Sequence, residues 1–164
     1  MRLSVRVAQP DELEIIQRLN AGAFENDVEH DPYLVMDWPY NPDSGAAYFR
    51  SRLEGKGVCF VCEADDGEIA GYLAGALRPI ESYRRGVRSE LENMFVLPTF
   101  RRKGVGTALI QAFVEWSKEQ RADEVYVSAY FDNERAVAFY QDNGFSSYSH
   151  DLLLDLRARE AVQE

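Results

Sequence analysis

The chain has 164 residues, 46% hydrophobic and 28% charged, which fits one globular domain over residues 1–164 with a core that needs no staples. Its formal net charge of −10 argues against non-specific binding to nucleic acid or to anionic membranes. No apolar run approaches the ~20 residues of a membrane helix, and Met1–Ala8 lacks the apolar core of a signal peptide, so a cytoplasmic location is expected.

Leu3, Val5 and Val7 alternate with polar residues and predict a strand over Leu3–Val7. Pro10 and Asp11 open a helix to about Phe24, with Leu13, Ile16 and Leu19 inward. Glu25–Pro42 reads as irregular: Pro32, Pro39 and Pro42 lie among Tyr33, Trp38 and Tyr40, either as a substrate lid or as a loop pinned to the core. Ser44–Leu53 looks helical. Val58–Glu63 and Ile69–Leu77 flank Asp66-Gly67, a strong hairpin signal. Cys59 and Cys62 read as apolar strand residues, since across a strand their Cα atoms lie ~10 Å apart and no second pair completes a zinc site.

A charged connection, Ile80–Ser89, leads to a strand over Glu90–Val96. Gly104–Gln120 is a long amphipathic helix carrying Val105, Ala108, Leu109, Ala112, Phe113 and Trp116. Val125–Phe131 is the next strand, Asn133–Asp142 a short helix stopped by Asn143-Gly144, and Ser147–Leu156 a last strand before a frayed tail, Arg157–Glu164. The order β-α-α-β-β-β-α-β-α-β is an α+β domain with a mixed sheet. His30 reads as a surface histidine, His150 has no role, and no His, Asp or Glu spacing suggests a metal site.

The stretch Val96-Leu97-Pro98-Thr99-Phe100-Arg101-Arg102-Lys103-Gly104-Val105-Gly106-Thr107 concentrates the chemistry. A strand ends, a proline turns the chain, three cations follow and two glycines open a helix. Successive N–H groups and the positive end of the helix dipole can converge on an anion there, with Arg101, Arg102 and Lys103 beside a diphosphate. Glycine at 104 and 106 removes Cβ atoms that would hold a phosphate off. A P-loop is excluded because no Gly-Lys-Ser or Gly-Lys-Thr occurs, and a dinucleotide fingerprint fails at Leu109. The pattern R-x-x-G-x-G remains, met by Arg101, Gly104 and Gly106.

Glu92 through Leu109 resembles the cofactor motif of the GNAT superfamily of acyl-CoA-dependent N-acyltransferases. Asn133 through Phe145 resembles that superfamily's next motif, N-x-x-A-x-x-F-Y-x-x-x-G-F. Two motifs in the right order, over about 90–145, are far more specific than either alone. The resemblance implies a mixed, mostly antiparallel central sheet of six to seven strands, flanked by about four helices and splayed at the cofactor site. It implies acetyl-CoA as co-substrate with no metal, and a homodimer as a common assembly. It further implies that the backbone of Met94, Phe95 and Val96 meets the pantetheine arm, and that Arg102, Lys103, Gly104, Val105, Gly106 and Thr107 bind the diphosphate. Arg101 either joins them or bonds its own loop.

Acetyl transfer also needs a base, because an amine of pKa ~10 is mostly protonated at neutral pH. Related enzymes often place a Glu at the position of Glu92, which period-two alternation puts on one strand face with Met94 and Val96; Glu81, Glu90 and Glu134 are alternatives. Asn133, Ala136 and Tyr140 share a helical face, where Asn133 caps the helix and bonds the cofactor, Ala136 leaves room and Tyr140 protonates the departing thiolate. The acidic body favours a cationic acceptor: a polyamine-like molecule, an amino compound or a protein N-terminus. Its selectors are expected in Glu25–Tyr40 and Ile80–Ser89. A non-catalytic acyl-CoA-binding module and a transferase of another acyl group are the competing readings.

Overall fold

The computed structural model describes residues 1–157. Their strands form one sheet in the order β1-β2-β3-β4-β5. β1 (Ser4–Val7), β2 (Val58–Glu63), β3 (Ile69–Leu77) and β4 (Arg88–Val96) pair antiparallel in succession, and β5 (Glu124–Val127) joins β4 in parallel. The β2–β3 turn closes where Gly67 takes φ 83°, a conformation that costs glycine nothing.

Two layers of helix cover the sheet. Helices α1 (Leu13–Asp27) and α2 (Gly45–Leu53) bury Ile16, Leu19 and Phe49 against Cys59, Val61, Tyr72 and Ala74. Helix α3 (Val105–Glu119) buries Val105, Leu109, Ile110 and Phe113 against Val58, Phe60, Cys62, Leu73 and Leu91 on the other face. Each of these large apolar side chains contributes roughly 1.5–3 kcal/mol on leaving water. Cys59 and Cys62 are both buried, on opposite faces of β2, so they pack as separate thiols. Helix α4 (Glu134–Asp142) lies beside α3, with the Phe139 ring over Gly106.

Strand β4 carries a bulge. Gly75 pairs with Leu91 and Ala74 with Asn93, so Glu92 is the extra residue. A bulge advances the side-chain alternation by one. Met94 and Val96 therefore pack toward α3, whereas Glu92 bonds to Tyr48 and Arg52 of α2. The expected common face of Glu92, Met94 and Val96 is corrected accordingly.

Two further expectations change. The described residues contain five strands rather than six to seven, because Ser147–Leu156 forms none. Three consecutive leucines there break the alternation that would bury one face, and Leu152 and Leu153 are 91% and 98% exposed. The segment is tied down by Tyr33 Oη, which donates to Asp155 at 2.9 Å. Strand β5 stops at Val127 instead of Phe131. The expected tail lies, from residue 158 onward, outside the described residues. The loop after α1 is pinned to the core: Trp38 packs on Phe24 and Tyr48 at 5.8 and 5.7 Å, and Gln17 Nε2 donates to the Pro39 carbonyl at 2.9 Å. Tyr33 and Tyr40 of the same stretch stay exposed.

Candidate active site

The site begins where β4 and β5 part. Their pairing ends at Leu91 and Val127, yet β4 runs on to Val96. The edge of 92–96 that faces away from β3 thus has no strand partner among the described residues. Arg101 Nε takes the Val96 carbonyl at 3.2 Å and its guanidinium lies 5.5 Å from the Phe95 ring centre, so Arg101 bonds its own loop.

The chain then turns through Pro98–Phe100, and Arg102 and Gly104 adopt left-handed φ of 59° and 85°. Alternation of this kind makes successive N–H groups converge. The backbone N–H groups of 102–107 have no hydrogen-bond acceptor among the described residues. They lie at the positive end of the α3 dipole. A Cβ on Gly104 would meet only Leu3 Cδ1, at 4.0 Å, so space is open beside that loop. Gly106 serves another purpose: its Cβ would stand 2.8 Å from Phe139 Cζ, so it permits α3 to meet α4. Arg102 and Lys103 are exposed, with Lys103 Nζ 5.6 Å from the Phe100 ring centre.

Across the gap, Asn133 caps α4 by accepting from Ala136 N at 3.2 Å. Tyr140 is half-buried between the rings of Phe139 and Phe145, whose centres lie 5.4 and 5.6 Å away. Its hydroxyl makes no hydrogen bond among the described residues, and burial, helped by the Asp27 charge, pushes it up to about 12. Asp27 ends α1; burial raises its own carboxyl, and Tyr130 also feels its charge.

Glu92 lies in a web of donors. Arg52 Nε and Nη2 reach its Oε1 and Oε2 at 2.7 and 2.8 Å, and Tyr48 Oη donates to Oε1 at 2.9 Å. The carboxylate helps line an open cleft of about 510 Å³ with Glu90, Arg52, Arg78 and Trp116. Burial raises the Glu90 carboxyl, which meets Arg78 only at 3.6 Å.

The structure thus places the candidate diphosphate loop at the end of β4 and the start of α3, Asn133, Ala136 and Tyr140 on α4, and Glu92 toward α2. Sequence reasoning missed Tyr48, Arg52, Asn93 and Asp27. Tyr48 and Arg52 were findable as an i, i+4 pair on one face of α2. Asp27 was findable as an acid at a helix C-terminus, against the dipole. His30 is not a free surface group: its Nδ1 lies 2.8 Å from Asp132 Oδ1 and its ring stacks on Tyr130 at 5.3 Å, joining the loop after α1 to the loop before α4. Among the described residues no cluster of three His, Cys, Asp or Glu is placed to hold a metal ion, and no helix is long and apolar enough to cross a membrane.

A family model described as the acetyltransferase (GNAT) family matches residues 16–145. An N-alpha-acetyltransferase of Sulfurisphaera tokodaii is 33% identical over 118 residues, covering 68% of this chain and 67% of that protein. An uncharacterized N-acetyltransferase of Methanocaldococcus jannaschii is 35% identical over 88 residues, which span 52% of this chain but only 38% of that relative. Among solved structures, the aminoglycoside N-acetyltransferase AAC(6')-Iy in complex with CoA superposes with a TM-score of 0.71 at 21% identity, covering 95% of each chain, and so shares the fold.

Proposed function

The chain belongs to the GNAT acetyltransferase family, and from that footing we propose that it transfers the acetyl group of acetyl-CoA to a primary amine, with a cationic acceptor preferred. The observation that carries this reading is the set of backbone N–H groups over 102–107 that meet no acceptor among the described residues, at the start of α3 and beside the edge of β4 that no described strand pairs. These donors fit a diphosphate, with Arg102 and Lys103 adding charge. The edge of Met94, Phe95 and Val96 fits an extended amide-bearing arm, by the logic of strand addition. Asn133 and Ala136 border that arm from α4.

The thioester, when bound, supplies an activated acyl carbon. The protein's own residues do the rest. Glu92 takes the proton from the incoming amine, which enters through the cleft that Glu92 and Glu90 line. Tyr140 gives a proton to the leaving sulfur, whose thiol has an ordinary pKa of ~8.5. A phenol held near 12 stays protonated at neutral pH, so its proton is present for the sulfur to accept. The net charge of −10 and the half-buried Asp27 carboxyl, which feels the His30 charge, support a cationic acceptor, and the relatives' names also point to amine acceptors.

Release of free thiol from acetyl-CoA, followed with a panel of diamines, aminoglycosides, peptides and neutral amines, tests the proposal. Thiol release should require the amine, and KM for dications should rise with salt between about 0.05 and about 0.5 M while KM for neutral amines stays put. Tight CoA binding with no amine-dependent thiol release would contradict it.

A further inference from the structure

We infer that Tyr48 is a positioning residue for Glu92, standing at the end of a one-way hydrogen-bond chain that fills one carboxylate oxygen and leaves the other to meet the acceptor. The inference rests on Glu92 being the proton acceptor proposed above. The chain starts in the core. Asn20 Nδ2 donates to Tyr72 Oη at 2.8 Å, and Tyr72 Oη donates to Asn93 Oδ1. Asn93 Nδ2 donates to Tyr48 Oη at 2.9 Å, and Tyr48 Oη donates to Glu92 Oε1 at 2.9 Å. Every donor points toward the carboxylate, so the bonds polarise one another in the same sense. Neither phenol can turn its hydroxyl without breaking two bonds.

The β4 bulge makes this possible, because it sends two consecutive side chains, Glu92 and Asn93, to the α2 side. Counting donors then separates the two oxygens. Among the described residues Oε1 receives Tyr48 Oη and Arg52 Nε, whereas Oε2 receives only Arg52 Nη2. A carboxylate oxygen offers two lone-pair positions. Oε1 is full, and Oε2 keeps one place for the amine proton. The other end of the chain is poorly arranged for stability alone: Asn20 is 1% exposed and its Oδ1 has no partner among the described residues. A buried polar atom without a partner costs free energy, which an apolar residue at position 20 would avoid.

Turnover, KM for acetyl-CoA and melting temperature of Tyr48→Phe, Glu92→Gln and the double variant test this. Tyr48→Phe keeps the ring that packs on Trp38 and Phe49. We expect Tyr48→Phe to lower kcat roughly tenfold, as befits loss of a hydrogen bond to a charge, with KM for acetyl-CoA changed by no more than about twofold. In the Glu92→Gln background the same change should cost nothing more, because Tyr48 acts through the carboxylate. Asn93→Ala, which cuts the chain one link earlier, should show a smaller loss with the same dependence on Glu92. Wild-type kcat in Tyr48→Phe, or an additive loss in the double variant, overturns the positioning role while leaving the base in place. Wild-type kcat in Glu92→Gln overturns the base itself, and this inference with it.

Discussion

As the proposed acid and the proposed base, Tyr140 and Glu92 would face opposite chemical demands, and their surroundings differ. The phenol sits between Phe139 and Phe145, where burial pushes it up to about 12 from its ordinary 10. The carboxylate is held by two donors from Arg52 and one from Tyr48. The phenol, with no hydrogen-bond partner among the described residues, is a weaker acid for that shift but carries its proton at neutral pH and has it free to share with the sulfur as the bond breaks. Tyr140→Phe should therefore lower kcat roughly a hundredfold and leave CoA affinity unchanged. Equal loss in both, measured by thiol release and by calorimetric titration, would make Tyr140 a binding residue. The same shift carries a stability consequence of definite sign. The folded state holds the Tyr140 proton more tightly than the unfolded chain, so stability present below pH 10 is lost as pH climbs toward about 12. Urea midpoints of Tyr140→Phe should fall less steeply over that window than those of the parent.

At the scale of elements, the two glycines of the loop do different work. Gly104 allows the left-handed turn, whereas Gly106 lets α4 lie against α3 through Phe139. Gly106→Ala should push the two helices apart, costing about 1–3 kcal/mol of stability, and should cut turnover more than CoA affinity because α4 carries Tyr140. Unchanged melting temperature and turnover would show that Phe139 simply moves aside. Helix α3 was legible in the sequence, since Val105, Leu109 and Phe113 recur at helical spacing. The β2–β3 hairpin was legible from Asp66-Gly67. The bulge in β4 was not. One extra residue leaves no trace in composition, and strict alternation carried past it put Glu92 with Met94 and Val96. Tyr48 and Arg52 show α2 spacing in sequence, but only the folded sheet brings them to Glu92.

For the whole molecule, the two motifs over 90–145 were enough to identify the family because they encode backbone geometry: a turn, a helix start and a cap. The first ninety residues hold no such signature, although they supply Asp27, Tyr48 and Arg52. Their contribution is long-range packing, which a single sequence does not display. The strand count failed for a similar reason, since the apolar Leu152–Leu154 run resembles a strand without the alternation that would seat it. Across these scales the central claim is that a strand end, a left-handed turn and a helix start combine into one donor cradle for a diphosphate. Amide chemical shifts read during parallel titrations with CoA and with pantetheine, which lacks the diphosphate, test it most directly. The N–H signals of 102–107 should move with CoA and hold still with pantetheine; CoA binding that leaves them unmoved would contradict it.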